Sequence, residues 1–384
     1  MFPFLSDLIN YLLGTNFILP FPMFGFMMAI AFVAAHQFFV LEMKRKEQLG
    51  LLFSYQETVV KGEKASLTEL ISNAIFGFVL GFKLLEAILN YDALAANPQT
   101  FILSTRGNLF GGIVLAAILT YLKYREAEKN RLPEPKKVQE TVHPFQLVSN
   151  MTFIAAIGGI IGAKIFDTLE NIPRLIENPI ETLISGSGLS IYGGLIVGGG
   201  SVIYYARKKG LNTLHVVDAC APALMLAYGI GRIGCQLSGD GDWGLPNDTP
   251  MPQAISFLPE WMWAFDYPGN VLGINLKEDF TRMGLVSITG KAWPTPFYET
   301  ILAFIIFGIL WLSRKKITVP GVMFSAYLIF NGVERFLIEK IRINERYDVF
   351  GMKATQAEII AILFVLVGIV GINFFTKKHQ KQTN

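Results

Sequence analysis

A succession of apolar segments constrains this chain more than anything else: about 20–41, 67–90, 107–122, 147–166, 189–205, 216–237, 297–313, 319–338 and 357–375. Several exceed the roughly 18 apolar residues that mark a helix able to cross a bilayer. In hydrocarbon only helices and closed barrels satisfy their own backbone polar groups. Charged residues make up 16% of the 384 positions, against about 25% in a typical soluble domain. The expected fold is an all-α polytopic membrane protein, with about nine transmembrane helices in a lipid bilayer.

The net charge of +3 says less than its distribution. Lys44, Arg45, Lys46, Lys61 and Lys64 follow the first segment; Lys123, Arg125, Lys129, Arg131, Lys136 and Lys137 follow the third. Arg207 to Lys209, Arg314 to Lys316 and Lys377, Lys378 and Lys381 come after every second crossing thereafter, so that 20 of the 33 Lys and Arg fall on one side. The positive-inside rule then places the N-terminus outside, the C-terminus in the cytoplasm, and gives an odd number of spans. The connector 339–356 is the weak point, because it is assigned outside yet holds Lys340, Arg342, Arg346 and Lys353. No lysine or arginine precedes Lys44 and no small-residue cleavage pattern occurs, so the first segment reads as an anchor, not a removed signal peptide.

Residues 123–143 are charged and proline-bearing and read as a cytoplasmic linker. The stretch 239–296, with seven prolines and four tryptophans, reads as a cap or arm on the outer surface. No internal repeat is evident, which weakens a transporter reading. Cys220 and Cys235 lie on one predicted helix, about 22 Å apart along its axis, too far to bridge. The four histidines are scattered, so no metal or cofactor is expected, and no nucleic-acid partner.

The sixth segment runs into Gly231-Arg232-Ile233-Gly234-Cys235-Gln236-Leu237-Ser238-Gly239-Asp240-Gly241-Asp242-Trp243-Gly244. A guanidinium at membrane depth costs roughly 2.5–3.5 kcal/mol and normally has a polar job and a partner. Arginine is also shaped to grip phosphate through two parallel hydrogen bonds. Arg335 is a second such group, with Glu339 at i+4 and Glu334 beside it. Two readings are open for it: a helix-end ion pair with Glu339, or one half of a clamp around a single phosphodiester. The turn Ser238 to Asp242 has oxygen ligands in the manner of a calcium loop, but the twelve-residue pattern is not fulfilled. Lys83 is expected to pair with Glu86 at i+3. Lys164 follows a glycine-rich face and either snorkels or completes a polar cavity. Tyr192 and Tyr298 open the fifth and seventh segments, where interfacial anchoring is the ordinary role of tyrosine.

Taken together, these pieces resemble the bacterial prolipoprotein diacylglyceryl transferases. That family's Gly-Arg-x-Gly-Asn-Phe-x-Asn-Gly-Glu-x-x-Gly is followed by Gly231 to Gly244 with one inserted residue. Its His-Gly-Gly-Leu opening is matched by Tyr192-Gly193-Gly194-Leu195, and its Pro-Ser-Gln-Leu-Tyr-Glu by Pro294-Thr295-Pro296-Phe297-Tyr298-Glu299. Its Arg-Phe-x-x-Glu is matched by Arg335 to Glu339. The resemblance implies transfer of a diacylglyceryl group from phosphatidylglycerol to the lipobox cysteine of preprolipoproteins at the bacterial inner membrane, with glycerol phosphate leaving. It implies that Arg232 and Arg335 bind phosphate, and that Gly193, Gly194, Cys235, Gly244, Tyr298, Glu299 and Glu339 line the substrate site. Tyr192, Asp240, Asp242 and Arg335 would be the catalytic set.

It also implies a division into residues 1–66 (first helix and connector), 67–143 (an inserted helix pair and linker) and 144–384 (a seven-helix-type transferase core carrying the loop 239–296). The departures matter. The family histidine is Tyr192 here, its asparagine is Cys235, a later tyrosine is Asn331, and the tyrosine of the first span is Phe24. Tyrosine, with a pKa near 10, is a poor base, so Asp240 or Asp242 takes the proton or the chemistry has drifted. The alternative is a divergent homologue that acts on another acceptor or only binds lipid.

Overall fold

The computed structural model describes residues 1–96, 98–184, 190–349 and 351–383. Among them are nine helices of 18 residues or more: α1 Met23–Gln48, α2 Leu67–Leu89, α3 Leu109–Lys129, α4 Val148–Glu170, α5 Ile191–Lys208, α6 Thr213–Ser238, α7 Thr295–Ser313, α8 Val322–Glu339 and α9 Gln356–Thr383. Each overlaps one expected span. Six of them (α1, α2, α4, α6, α7 and α9) are long and apolar enough to cross a membrane. The chain is an all-α polytopic membrane protein. The other three are diluted by charge or glycine, and each packs closely against a strongly apolar neighbour: α3 on α2, α5 on α4, α8 on α9.

Helix α6 is the axis. It packs against α1, α7 and α8, and 56% of its apolar window is buried, against 11–39% in the other five. Asn212 caps its N-terminus by accepting the Leu214 amide. At its other end Gly239 adopts a left-handed conformation (φ 63°) and its amide closes on the Cys235 carbonyl. That conformation strongly favours glycine and directs the chain into the loop beyond.

The α2/α3 pair closes along a seam where side chains cannot fit. A Cβ on Gly81 would stand 2.2 Å from the Gly111 carbonyl oxygen, and one on Gly77 2.8 Å from the Ala116 Cα. The pair is bracketed by an antiparallel ribbon, β1 Tyr55–Lys61 against β2 Lys136–Val142, which brings its entry and exit together. The expected linker 123–143 is therefore structured. Helix α3 continues to Lys129, supported by Lys123 with Glu126, and Arg131 pairs with Glu128 just beyond. Lys83 also departs from expectation: instead of bonding Glu86, its ammonium donates to the carbonyls of Phe101, Ser104 and Arg106 at 3.1, 2.5 and 2.7 Å. Three carbonyls match an ammonium's three donors, which a single carboxylate cannot do as fully. Lys164 lies 3.8 Å from Asp167.

The segment 239–296 has a small core of its own, Trp243, Tyr267, Leu276, Phe280 and Ala292. It is tied back to the helices: the Met1 amine donates to the Pro268 carbonyl, and the Phe2 amide to that of Leu237. A short hairpin, β3 Arg346–Val349 with β4 Met352–Thr355, leads into α9.

Candidate functional site

Where α6, α7 and α8 end beneath the 239–296 segment, three guanidinium groups converge on one carboxylate. Glu299 sits on the second turn of α7 with its side chain fully buried. Its Oε2 forms an ion pair with Arg232 Nε of α6 at 2.7 Å. On Oε1 it accepts Arg335 of α8 at 3.2 Å and Arg342, just past α8, at 3.0 Å. Arg232 and Arg335 thus come from separate helices and share one anionic partner. Asp242 forms a second bridge, one oxygen on Arg232 and the other on Arg342. Glu339 holds Arg335 at 2.9 Å and accepts the Asn344 amide at 2.5 Å. The Arg232 guanidinium lies 5.1 Å from the Tyr228 ring centroid, a cation–π distance.

Such a cluster is stable only because its charges alternate and are hydrogen-bonded; a lone buried charge would be severely penalised. Three ion-paired carboxylates, Glu299, Glu339 and Asp242, stand against three guanidiniums. Glu334, buried beside them, accepts a long 3.4 Å contact from the Tyr228 hydroxyl on one oxygen, and its other oxygen has no partner.

The Asp240–Asp242 turn carries two neighbouring carboxylates in opposed environments. Burial opposes charge on Asp242, but Arg342 and then Arg232 outweigh it and hold its carboxyl below the usual carboxylate range. Asp240 is pushed upward, first by burial and next by the charge of Asp242. Carboxylates driven apart in this way divide into one that stays ionised and one that can carry a proton. Cys235 Sγ lies 3.7 Å from Arg232. Cys235, Asp240 and Asp242 could offer a metal three atoms within 4.8 Å of one another, yet both Asp242 oxygens are already occupied by guanidinium, which supplies the charge a cation would bring.

Gly244 is there for geometry. A Cβ would meet the Ile341 carbonyl at 2.3 Å, and the Gly244 and Leu245 amides bond Trp293 and Ile341 at 2.8 Å each. This holds the strand carrying Arg342 against the turn. Thr295 Oγ1 donates to the Asp242 carbonyl at 2.5 Å. Tyr298 donates to the Met262 carbonyl at 2.7 Å and so anchors the cap. Gly193 and Gly194 face α4 instead of open space: a Cβ on Gly193 would lie 2.3 Å from the Gly162 carbonyl, and one on Gly194 3.1 Å from that of Gly159. Tyr192 is half-buried within electrostatic reach of Arg335, Glu339 and Arg342. Gly234 admits Phe24 and Met27 of α1. Sequence reasoning did not single out Arg342 or Tyr228. The signal for Arg342 was present, since Arg335, Glu339 and Arg342 follow an i, i+4, i+7 spacing along one helical face.

Fold and cluster together define a polytopic membrane protein with a buried cluster of arginines and carboxylates at one end of its central helices. The family described as prolipoprotein diacylglyceryl transferase matches residues 113–374, and the chain belongs to it. It is similar to proteins named phosphatidylglycerol–prolipoprotein diacylglyceryl transferase from several bacteria. The one from Clostridium tetani is 32% identical over 61% of this chain and 82% of its own length. Those from Corynebacterium efficiens (29%; 68% and 74%) and Fusobacterium nucleatum (28%; 64% and 88%) are comparable.

Proposed function

We propose that this protein transfers the diacylglyceryl group of phosphatidylglycerol to the lipobox cysteine thiol of preprolipoproteins, at the outer face of a bacterial inner membrane. The carrying observation is the convergence of Arg232 of α6 with Arg335 and Arg342, in and just past α8, on one buried carboxylate. The chemistry asks for a phosphodiester to be held, its growing charge to be stabilised as the C–O bond breaks, and a thiol proton to be removed. Preorganised guanidiniums meet the first two needs. The Asp240/Asp242 pair meets the third, since Tyr192 stands where the family has histidine. Glu299 and Glu339 position the arginines, Gly244 sets the turn, and the cap anchored by Tyr298 shields the site from water. The N-terminus, bonded to the cap at Pro268, lies on the outer side with the site, and the basic connectors lie in the cytoplasm.

The test supplies purified protein with phosphatidylglycerol labelled in its acyl chains and a lipobox peptide. Label should reach the Cys peptide and not its Ser counterpart. Transfer to neither, with lipid still bound, would assign the site to lipid binding or to another acceptor.

A further inference from the structure

One feature of Asp242 sets it apart from the other ion-paired carboxylates in the cluster. Its side chain is 30% exposed, whereas Glu299 and Glu339 are fully buried on helices. Like Glu299, it presents its two oxygens to different guanidiniums, here Arg232 and Arg342, as the two free oxygens of a phosphodiester would. Its backbone is pinned by Thr295, but the turn beside it contains Gly241 at φ 98° with only the Leu272 side chain nearby. The side chain can therefore turn about Cα–Cβ while the chain stays in place. Such rotamer changes are fast and small.

A lipid phosphate cannot simply be added to this cluster. Its three guanidiniums already face three ion-paired carboxylates, and an extra anion in a desolvated site is strongly disfavoured. Exchange of one anion for another leaves the charge balanced. We propose that Asp242 is a resident stand-in for the lipid phosphate, which displaces it from Arg232 and Arg342, and that the freed carboxylate is then the acceptor of the thiol proton. The inference rests on the lipid-transfer reading above and deepens it: the base is weak until substrate is bound, because the same two guanidiniums that receive the phosphate suppress its basicity.

In the reacting complex the S–H proton passes to an Asp242 oxygen. The sulfur forms its bond to the glyceryl carbon, and the C–O bond to the phosphate breaks with its electron pair leaving on glycerol phosphate, which the arginines hold. Asp242 afterwards returns its proton to water and closes again on the guanidiniums as the product departs.

The experiment measures phosphatidylglycerol binding in detergent micelles and, separately, turnover with the lipobox peptide, for the wild type, Asp242→Asn and Asp242→Ala. Removing a competing internal anion should tighten lipid binding about ten-fold, the gain expected when a competent state populated at about a tenth becomes the ground state. Turnover at saturating lipid should fall by about 10²-fold or more, the contribution of a positioned proton acceptor. Binding that is unchanged or weaker in both variants overturns the proposal, as does turnover that survives. Should the variants not fold, the wild type suffices. A carboxylate change in its infrared difference spectrum on adding phosphatidylglycerol is expected, and its absence counts against the exchange. If the wild type binds no phosphatidylglycerol at all, it is the lipid-transfer reading that fails.

Discussion

The two ends of the helix bundle both bury charge, but they do so differently. At the basic end, Glu42 of α1 holds Arg45 on two bonds of 2.9 and 2.5 Å and Arg314 at 3.1 Å, and Arg45 also donates to the Arg314 carbonyl. Asp218 accepts the Gly321 and Phe324 amides at 2.7 and 2.9 Å and so caps α8. Every partner there is a helix residue, the residue capping the end of α7, or backbone, and each carboxylate serves one fixed joint. At the site end, three arginines share carboxylates, and one of these rides on a glycine-flanked turn. The first arrangement fastens helices together. On the proposed reading, the second holds guanidiniums ready for an anion that can come and go, which is what a catalytic clamp requires.

The largest expected effect breaks the clamp. Arg232→Ala and Arg335→Ala should each lower label transfer by roughly a thousand-fold, the upper range for deleting one preorganised donor, with the protein still folded by circular dichroism. Lysine should not rescue either position, since it cannot form the same fork. Full activity in either variant would remove the clamp. Next comes a pair that sharpens the contrast. Glu299→Gln should cost about 3–5 kcal/mol of stability, as is usual when a buried ion pair loses one partner, and should abolish turnover too. Glu42→Gln, at the basic end, should cost stability of the same order while the folded fraction transfers lipid at the normal rate. Equal losses of turnover in the two variants would erase the distinction drawn between the ends.

Much of this was legible in the residues. The apolar segments located all nine long helices, because lipid burial leaves a signal strong enough to outweigh local propensity. Arg232 and Arg335 stand out because charge at membrane depth demands a reason, Glu339 as the i+4 partner of Arg335, and Glu299 only through the family resemblance. Arg342 escaped because it lies past the end of α8, in a connector whose positive charge raised only a question of topology. The pairing of Asp242 with Arg342 spans a hundred residues, and nothing local announces it. The resemblance places Gly193 and Gly194 at the substrate site, and the structure sets them against α4; a glycine stripe looks alike in either case, and only its counterpart Gly158 to Gly162 hints at helix packing. The charged stretch 123–143 was read as a linker because its exposed helix end and ribbon strand lack the apolar periodicity that marks buried elements.

The α4/α5 glycine seam yields the third prediction. Gly193→Ala should destabilise by about 1–3 kcal/mol, typical of overpacking, because its Cβ would meet the Gly162 carbonyl and the Phe166 side chain at 2.5 Å. Gly200→Ala, on the same helix with nothing within 4 Å, should be neutral or slightly stabilising, since alanine favours a helix. Thermal melts of the two in detergent decide it. Similar losses at both positions would mean that helix propensity or the membrane face, not the α4/α5 seam, governs these glycines.

The smallest effect separates the two aspartates of the turn by the sign of their pH dependence. Asp240 has a folded pKa raised above the unfolded value of about 3.9 by burial and then by Asp242. Its proton is held more tightly in the folded state, so stability falls as pH rises from about 4 through the raised value and stays lower beyond it. Asp242, depressed by Arg342 and Arg232 against the pull of burial, does the reverse. Its contribution is present above about pH 4 and is lost as pH falls through its lowered value. Asp240→Asn should therefore raise the melting temperature slightly at neutral pH and flatten its decline between mildly acidic and neutral conditions. Asp242→Asn should lower it at neutral pH and weaken the loss on acidification. If both variants moved the profile in the same direction, the turn would be a single acidic patch and not a pair held in opposite charge states.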